Sequence, residues 1–391
     1  MSDDANLYEA GRIEVLEGLE AVRKRPGMYV GSVGERGLHQ MVFDVAGRAV
    51  NEVLAGRAGA VEVTLTPDGG VRVADDGPGV PVEAAGDTGT PGLEALLTRM
   101  HPGAEPGGRH AVATSLFGTG PCVTNALSSR LTAQVRRAGV HWVQEYARGV
   151  ALAPPVGAGS TTGSGTTVTF WPDTDIFEAT EHSFTALAER FRELAFLNRR
   201  LDISLTDERP PSEPRSTRFL FPGGARDFVA FLDARAGTSV HPDVIGFEQE
   251  DPRIAGTIEV ALRWNDTHEA RLRSYANSAP TPQGGTHTVG FRDGLAAAIN
   301  TYARERCLLA EATPDLGVDR ISDGLTAVVS VKLDRPEFSG ATLGTLEGAG
   351  VRTGVAETVR AHLGTWLERH PEQAAAIIGR ILRKRSHEGG H

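Results

Sequence analysis

Three groups of residues in this sequence have side chains or backbone suited to chemistry. Asp44, Arg48 and Asn51 fall at i, i+4 and i+7 within MVFDVAGRAVNEVLA. At about 3.6 residues per turn they share one side of a helix, while Met41, Val42, Val45, Ala49 and Val53 share the other. A carboxylate beside a guanidinium offers a general base next to a fixed cation, or else an ordinary helical Asp–Arg pair worth ~0.2–0.5 kcal/mol. Asp75-Asp76-Gly77-Pro78-Gly79 places two acids before glycines that let a ligand approach the backbone; as a bare turn it is a surface loop. Leu116-Phe117-Gly118-Thr119-Gly120 precedes a helical stretch from Cys122 to Leu127, a glycine-rich turn of the kind that receives anions. His101, His110 and His287 are too dispersed to read as metal ligands and are taken as solvated loop residues, so no metal site is expected.

Holding these groups requires both helices and strands. Ile13, Leu16, Leu19 and Val22 mark one face of a helix over residues 12–23, which Pro26 and Gly27 end before the Asp44 helix begins. Val61–Leu65 and Val71–Ala74 read as a hairpin closed by the turn PDGG, which delivers Asp75 at a strand end. Residues 86–121 are rich in Gly and Pro with little apolar periodicity, as in a long active-site lid. Arg380 to Arg385, RILRKR, reads as a solvated helix end.

Composition narrows the class. A chain of 391 residues exceeds one typical core, so two domains are expected. With 40% hydrophobic residues and no apolar run near the ~18 residues of a membrane span, no membrane partner is expected. The acidic start MSDDANLYEA lacks a secretory signal pattern, and the distant Cys122 and Cys307 suggest no disulfide framework; both point to the cytoplasm. A formal charge of −10 argues against a surface that grips nucleic acid throughout.

KRPGMYVG at 24–31, the Asp44 helix, DDGPGVP at 75–81, the glycine-rich stretch, Asn125-Ala126-Leu127-Ser128 and Gly165-Thr166-Thr167-Val168 form an ordered set. Leu194-Ala195-Phe196-Leu197-Asn198, Trp264-Asn265-Asp266, Gly284-Gly285-Thr286-His287 and GLTAVVSVK at 324–332 continue it. From Tyr8 to about residue 385 the sequence resembles the ATPase region of the DNA gyrase B subunit, with nothing resembling the metal-binding DNA-cleavage domain that follows there. The resemblance implies an α+β fold. Residues 1–220 would form a GHKL (Bergerat) ATPase-like α/β sandwich on an eight-stranded mixed sheet. Residues 221–391 would form a transducer-like domain of ribosomal-protein-like β-α fold, with a four-stranded sheet, strands near 256–264 and 325–333 and a helix from Asp293 to Glu305. It further implies a pocket for ATP or an adenine-like ligand in which Asp75 meets the adenine amino group beside Gly79 and Thr166. The lid around Gly118 and Gly120 would wrap the phosphates, and an N-terminal arm around Tyr8 would support a homodimer.

Against that pattern several positions differ. Asp44 stands where the family has the Glu that activates water, so the carboxylate is one methylene short, and ~1 Å of misplacement weakens catalysis on the order of 100-fold. Arg48 replaces a magnesium-binding Asn and cannot coordinate a metal. Pro78 replaces Arg, the lid loses two glycines and a histidine, and Ala341 and Leu343 replace a Gln and the Lys that contacts the terminal phosphate. The expectation is a protein that binds a nucleotide or small molecule without magnesium and hydrolyses little or no ATP. The alternatives are a metal-independent small-molecule enzyme of bacterial secondary metabolism, using Asp44, Arg48 and Arg109 or His110, a decoy for gyrase inhibitors, or a slow ATPase.

Overall fold

The hairpin expected from VEVTL and VRVAD forms, pairing Val61 with Asp75 through Leu65 with Val71 in antiparallel register. Alternate residues turn into the core, because successive strand side chains point to opposite faces. The computed structural model describes residues 18–83, 92–100, 112, 120–211, 213–234, 237–310, 312–339 and 344–383. In it, β1 (Val61–Leu65) and β2 (Val71–Asp75) lie inside a nine-stranded sheet. The others are β3 (Ser128–Arg137), β4 (Val140–Ala147), β5 (Val150–Ala151), β6 (Val156–Ser160), β7 (Gly165–Pro172), β8 (Ile203–Asp207) and β9 (Arg215–Phe219). Their order is β5-β4-β3-β7-β2-β1-β8-β9, with β6 against β4. Strands β1 and β8 run parallel while the hairpins beside them are antiparallel, so the sheet is mixed. The ninth strand, beyond the eight implied by resemblance, is the exposed β6.

Helices α1 (Gly18–Lys24), α2 (Gly27–Val30), α3 (Glu35–Leu54), α4 (Gly92–Thr98), α5 (Pro121–Ala126) and α6 (Phe184–Leu197) accompany this sheet. Leu38, Met41, Val42, Val45, Ala49, Val50 and Val53 of α3 are all buried in its core, and each large apolar side chain so buried contributes about 1.5–3 kcal/mol. The stretch 86–121, read as a lid without periodicity, contains α4, whose Leu93 and Leu97 are buried one turn apart. Two buried leucines in seven residues are too short a pattern to register as a helix.

The second sheet contains β10 (Ile245–Asp251), β11 (Gly256–Trp264), β12 (Arg271–Ala276), β13 (Ala279–Pro280) and β14 (Leu325–Leu333). Its order is β10-β11-β14-β12-β13, the two-residue β13 being the addition to the four strands expected. Central β14 is buried along almost its whole length, as expected of a near-continuous apolar strand. With it come α7 (Ala225–Asp233), α8 (Thr286–Glu305), α9 (Val318–Ile321), α10 (Ala349–Arg369) and α11 (Pro371–Leu382). Among the described residues no helix is long and apolar enough to cross a membrane.

Helix α8 starts at Thr286, a full turn and more before the expected Asp293. The Gly285 N–H donates to Thr288 Oγ1 (3.1 Å), whose hydroxyl donates back to the Gly285 carbonyl (2.8 Å). Gly290 and Gly294 weaken the helical signal but are packing positions: a Cβ there would lie 2.3 Å from the Arg352 carbonyl oxygen and 2.4 Å from that of Ala356. His287 is buried in this first turn rather than solvated, with Nε2 3.1 Å from Thr281 Oγ1. Burial pulls its pKa down to about 4. Arg380 is likewise buried, not a solvated helix end: it donates to Asp323 Oδ2 (3.1 Å) and to the Thr267 carbonyl (2.6 Å).

The two sheets are joined at α6. Phe196 stacks on Phe221 at 3.9 Å and on Phe228 of α7 at 4.7 Å. Lys332 of β14 donates to the Leu197 carbonyl (2.9 Å) and to Asn198 Oδ1 (3.0 Å), and burial holds its pKa below the ordinary value. Tyr275 of β12 donates to Glu193 at 3.1 Å.

Two glycines on the α8–α10 pair should respond in opposite directions. Gly290→Val drives a side chain into the α10 backbone and should lower stability by about 1–3 kcal/mol. Gly364→Ala meets nothing within 4 Å and should raise it by about 0.5–1 kcal/mol. Urea midpoints check both; equal midpoints for Gly290→Val and the parent would show that the helix pair has slack.

Candidate functional site

The site is assembled where α3 crosses the ends of β2 and β7. Sequence spacing put Asp44 and Arg48 on one stripe opposite the core, as partners or as base and cation. The structure separates them. Asp44 is only 3% exposed and takes a hydrogen bond from Gln40 Nε2 to Oδ1 at 2.7 Å. Burial raises its pKa well above the usual carboxylate range, and the Gln40 bond offsets only part of that. Cys122 of α5 shares this environment, its thiol pushed up to about 12 by burial and by the charge of Asp44. The apolar burial of this carboxyl disfavours its charged form.

Arg48 turns the other way. Its guanidinium donates in a very short contact to Asp75 Oδ2 at the end of β2. The second oxygen, Oδ1, accepts the Gly77 N–H at 3.0 Å, and the Asp75 side chain is 1% exposed. Both oxygens of the carboxylate expected to meet an adenine amino group therefore have protein donors. An arginine on α3 reaches β2 because its stem is long enough to span from helix to strand end, a contact no helical spacing rule describes.

The backbone around Asp75 is closely fitted. Thr166 pairs with Asp75 across β2 and β7, and its hydroxyl oxygen accepts the Val80 N–H at 3.1 Å. Gly165 has φ 139°, and a Cβ there would lie 2.2 Å from the Asp75 carbonyl oxygen, so only glycine fits. Gly79, at φ 76°, lies against the Arg136 carbonyl, and Arg137 donates to the Gly79 carbonyl at 2.9 Å. Loop 75–81 is thus held from both sides.

Asn51, the third member of the stripe, grips Val112: Val112 N–H donates to Asn51 Oδ1 at 2.8 Å. Gly120 has φ 71° and precedes the six-residue α5, too short to build much of a dipole. His110, Arg109, Gly118, Leu343 and Tyr8 lie outside the described residues. The structure brings together Arg48, Asp75, Gly79 and Thr166, and leaves Asp44 bonded to Gln40 instead. Sequence reading overlooked Gln40, which sits four residues before Asp44 and was accessible to the i, i+4 rule, and Cys122, for which spacing gave no signal.

The chain is similar to known proteins in sequence and in fold. Residues 34–176 match the family described as histidine kinase-, DNA gyrase B-, and HSP90-like ATPase, and residues 224–388 match DNA gyrase B. The DNA gyrase B protein of Streptomyces coelicolor is 46% identical over 392 residues, covering 96% of this chain and 57% of that protein. The novobiocin-sensitive DNA gyrase B protein of Streptomyces niveus is 43% identical, covering 96% and 58%. The chain thus spans just over half the length of these relatives. Among solved structures, the 43K ATPase domain of Thermus thermophilus gyrase B in complex with an aminocoumarin superposes with a TM-score of 0.80 at 32% identity, covering 94% of each chain. The topoisomerase IV ATP-binding domain of Francisella tularensis with a small-molecule inhibitor superposes at 0.75 and 29% identity, covering 94% of this chain and 96% of that one.

The state of Asp44 has a measurable consequence. Because burial raises its pKa in the folded chain, the folded state holds the proton more tightly. Stability from this group is therefore full below the unfolded value of about 3.9 and is lost as pH rises through the raised value. Asp44→Asn should accordingly unfold at a higher temperature than the parent at pH 8, with the difference shrinking toward pH 5. A difference independent of pH would show that the carboxyl is ionised throughout.

Proposed function

The chain belongs to the DNA gyrase B family, and on that premise we propose that it binds a nucleotide or adenine-like small molecule beside α3 and hydrolyses little or no ATP. The observation that carries this reading is the engagement of Arg48 with Asp75. The side chain at the family's magnesium-binding position is a cation, and it occupies the carboxylate that would otherwise greet an adenine amino group. A ligand entering here must either release Asp75 from Arg48 or present an acceptor to the guanidinium, which binds a carboxylate or phosphate through two parallel donors. Binding in that mode has no requirement for magnesium.

Water activation is weakened on the same helix. Asp44 is shorter than the family's Glu and is biased toward its protonated form by burial. Leu343, in place of the family's phosphate-contacting Lys, removes a charge-assisted contact worth ~1.5–3 kcal/mol. The reading takes residues 1–220 as the nucleotide-binding domain and 221–391 as the transducer-like domain. It includes a cytoplasmic setting, no role for nucleic acid, and either a monomer or a homodimer through the arm around Tyr8 that does not depend on nucleotide.

A second reading, a receptor or decoy for gyrase inhibitors, is favoured by one observation: solved relatives of this fold hold an aminocoumarin and another small-molecule inhibitor. Repurposed metal-independent catalysis, with Asp44, Arg48 and His110 as its groups, is the less supported alternative, because Asp44 and Arg48 face different partners.

Arg48→Asn separates these possibilities. Removing one partner of a buried ion pair costs about 3–5 kcal/mol, so the unliganded variant should unfold at a lower temperature than the parent. A non-hydrolysable ATP analogue should then stabilise the variant more than the parent, with affinity improved roughly tenfold or more. The parent's ATP turnover should lie well below ~1 per second, the lower end for typical enzymes. Parent turnover at that level, or equal analogue affinity in the parent and the variant, would sink the proposal.

A further inference from the structure

We propose that the cleft between α6 and α7 is a second ligand site, built to take a planar aromatic monoanion. It is separate from the pocket at α3 and does not depend on the function proposed for it. The cleft has a volume of about 650 Å³, within the ~300–1,000 Å³ usual for small-molecule sites, which form preferentially between domains. Its walls come from both sheets' helices, Phe184 and Arg192 from α6 and Phe228 and Phe231 from α7, with Arg273 of β12 completing them.

The floor is aromatic. Phe196 stacks in parallel with Phe228 and lies 5.5 Å from Phe231, whose ring is nevertheless 42% exposed. An exposed phenyl continuous with a buried stack offers a face for another ring at the offset geometry aromatic pairs prefer. Arg192 lies 5.0 Å over the Phe231 ring and 5.5 Å over Phe219, and Arg215 lies 4.0 Å over Phe184. Rings and guanidinium planes are therefore already layered here.

Charge selects the ligand further. Arg215 is committed to Asp207 at 3.2 Å, and Glu193 to Arg190 at 3.2 Å and the Tyr275 hydroxyl at 3.1 Å. Among the described residues neither Arg192 nor Arg273 has a hydrogen-bond or ion-pair partner. Glu189, exposed on α6 and lining the same cleft, opposes them. Two cations without a carboxylate partner against one carboxylate suit a single negative charge on a flat ring system, and disfavour a triphosphate or a nucleic acid strand.

Titrating the chain with anilinonaphthalene sulfonate, an aromatic monoanion whose fluorescence rises on binding, tests this. One saturable site is expected, weakened about tenfold in Arg192→Ala and in Phe231→Ala through loss of a charge-assisted contact or a stacking face, and undisturbed by excess ATP. Thermal unfolding of each variant verifies its fold. Should Arg192→Ala fail to fold, Phe231→Ala and Arg273→Ala carry the same expectation, since both side chains are exposed. Fluorescence that never saturates, equal affinity in folded variants, or displacement by ATP would each overturn the assignment.

Discussion

The pair between Arg48 and Asp75 governs the geometry around it. Removing two charges from water is expensive, and their attraction offsets that only when the remaining lone pairs are also satisfied. Here the Gly77 N–H supplies the missing donor to Asp75, and Gly165 lets β7 approach closely enough to shut water out. On the same helix, Asp44 receives only the Gln40 amide among the donors described and is held toward its neutral form. The two acids thus occupy different environments, Asp75 facing a cation and Asp44 buried against a glutamine amide.

The second constraint is the joint between the sheets. It combines stacked rings at Phe196 with polar contacts of high sequence separation, Lys332 to Asn198 and Arg199 to Glu259 at 2.7 Å. Asn198 also donates to Ser278 Oγ at 3.1 Å, so one side chain ties the end of α6 to the turn between β12 and β13 and to β14. Burying the Lys332 ammonium carries a desolvation cost, visible in its depressed pKa. Two carbonyl-type acceptors meet it at hydrogen-bonding distance, which is what makes the burial tolerable. Such a joint is rigid in register, because an unpaired buried ammonium would follow from sliding it.

Much of this was legible in the residues. The β1–β2 hairpin and the α3 core face follow from periods of two and 3.6, and the ordered motifs identified the family and both halves of its fold. Partner choice was not legible. Spacing names Asp44 as the neighbour of Arg48, whereas a long flexible side chain takes the partner that three-dimensional packing offers. Gly290 and Gly294 read as weak points in a helix because propensity is local, yet they are where α10 passes closest. His287 and Arg380 read as solvated because polar residues mostly are; their burial cannot be inferred from type alone. For Asp44 the sequence indicated a carboxylate, but its protonation bias arises from what surrounds it.

Helix α6 connects these regions physically. The Ser183 N–H, at its cap, donates to His39 Nε2 of α3 at 3.0 Å, and Phe43 of α3 meets Phe191 of α6 edge to face at 5.7 Å. From the same helix Phe196 and Arg192 turn toward α7 and the cleft. One helix therefore touches the element that carries Arg48 and Asp44 and also forms a wall of the second cavity. Packed interiors shift between discrete arrangements rather than deforming smoothly. The two regions share this helix while each is bounded by its own side chains, Asp44 and Arg48 on α3 and Arg192 and Phe231 at the cleft.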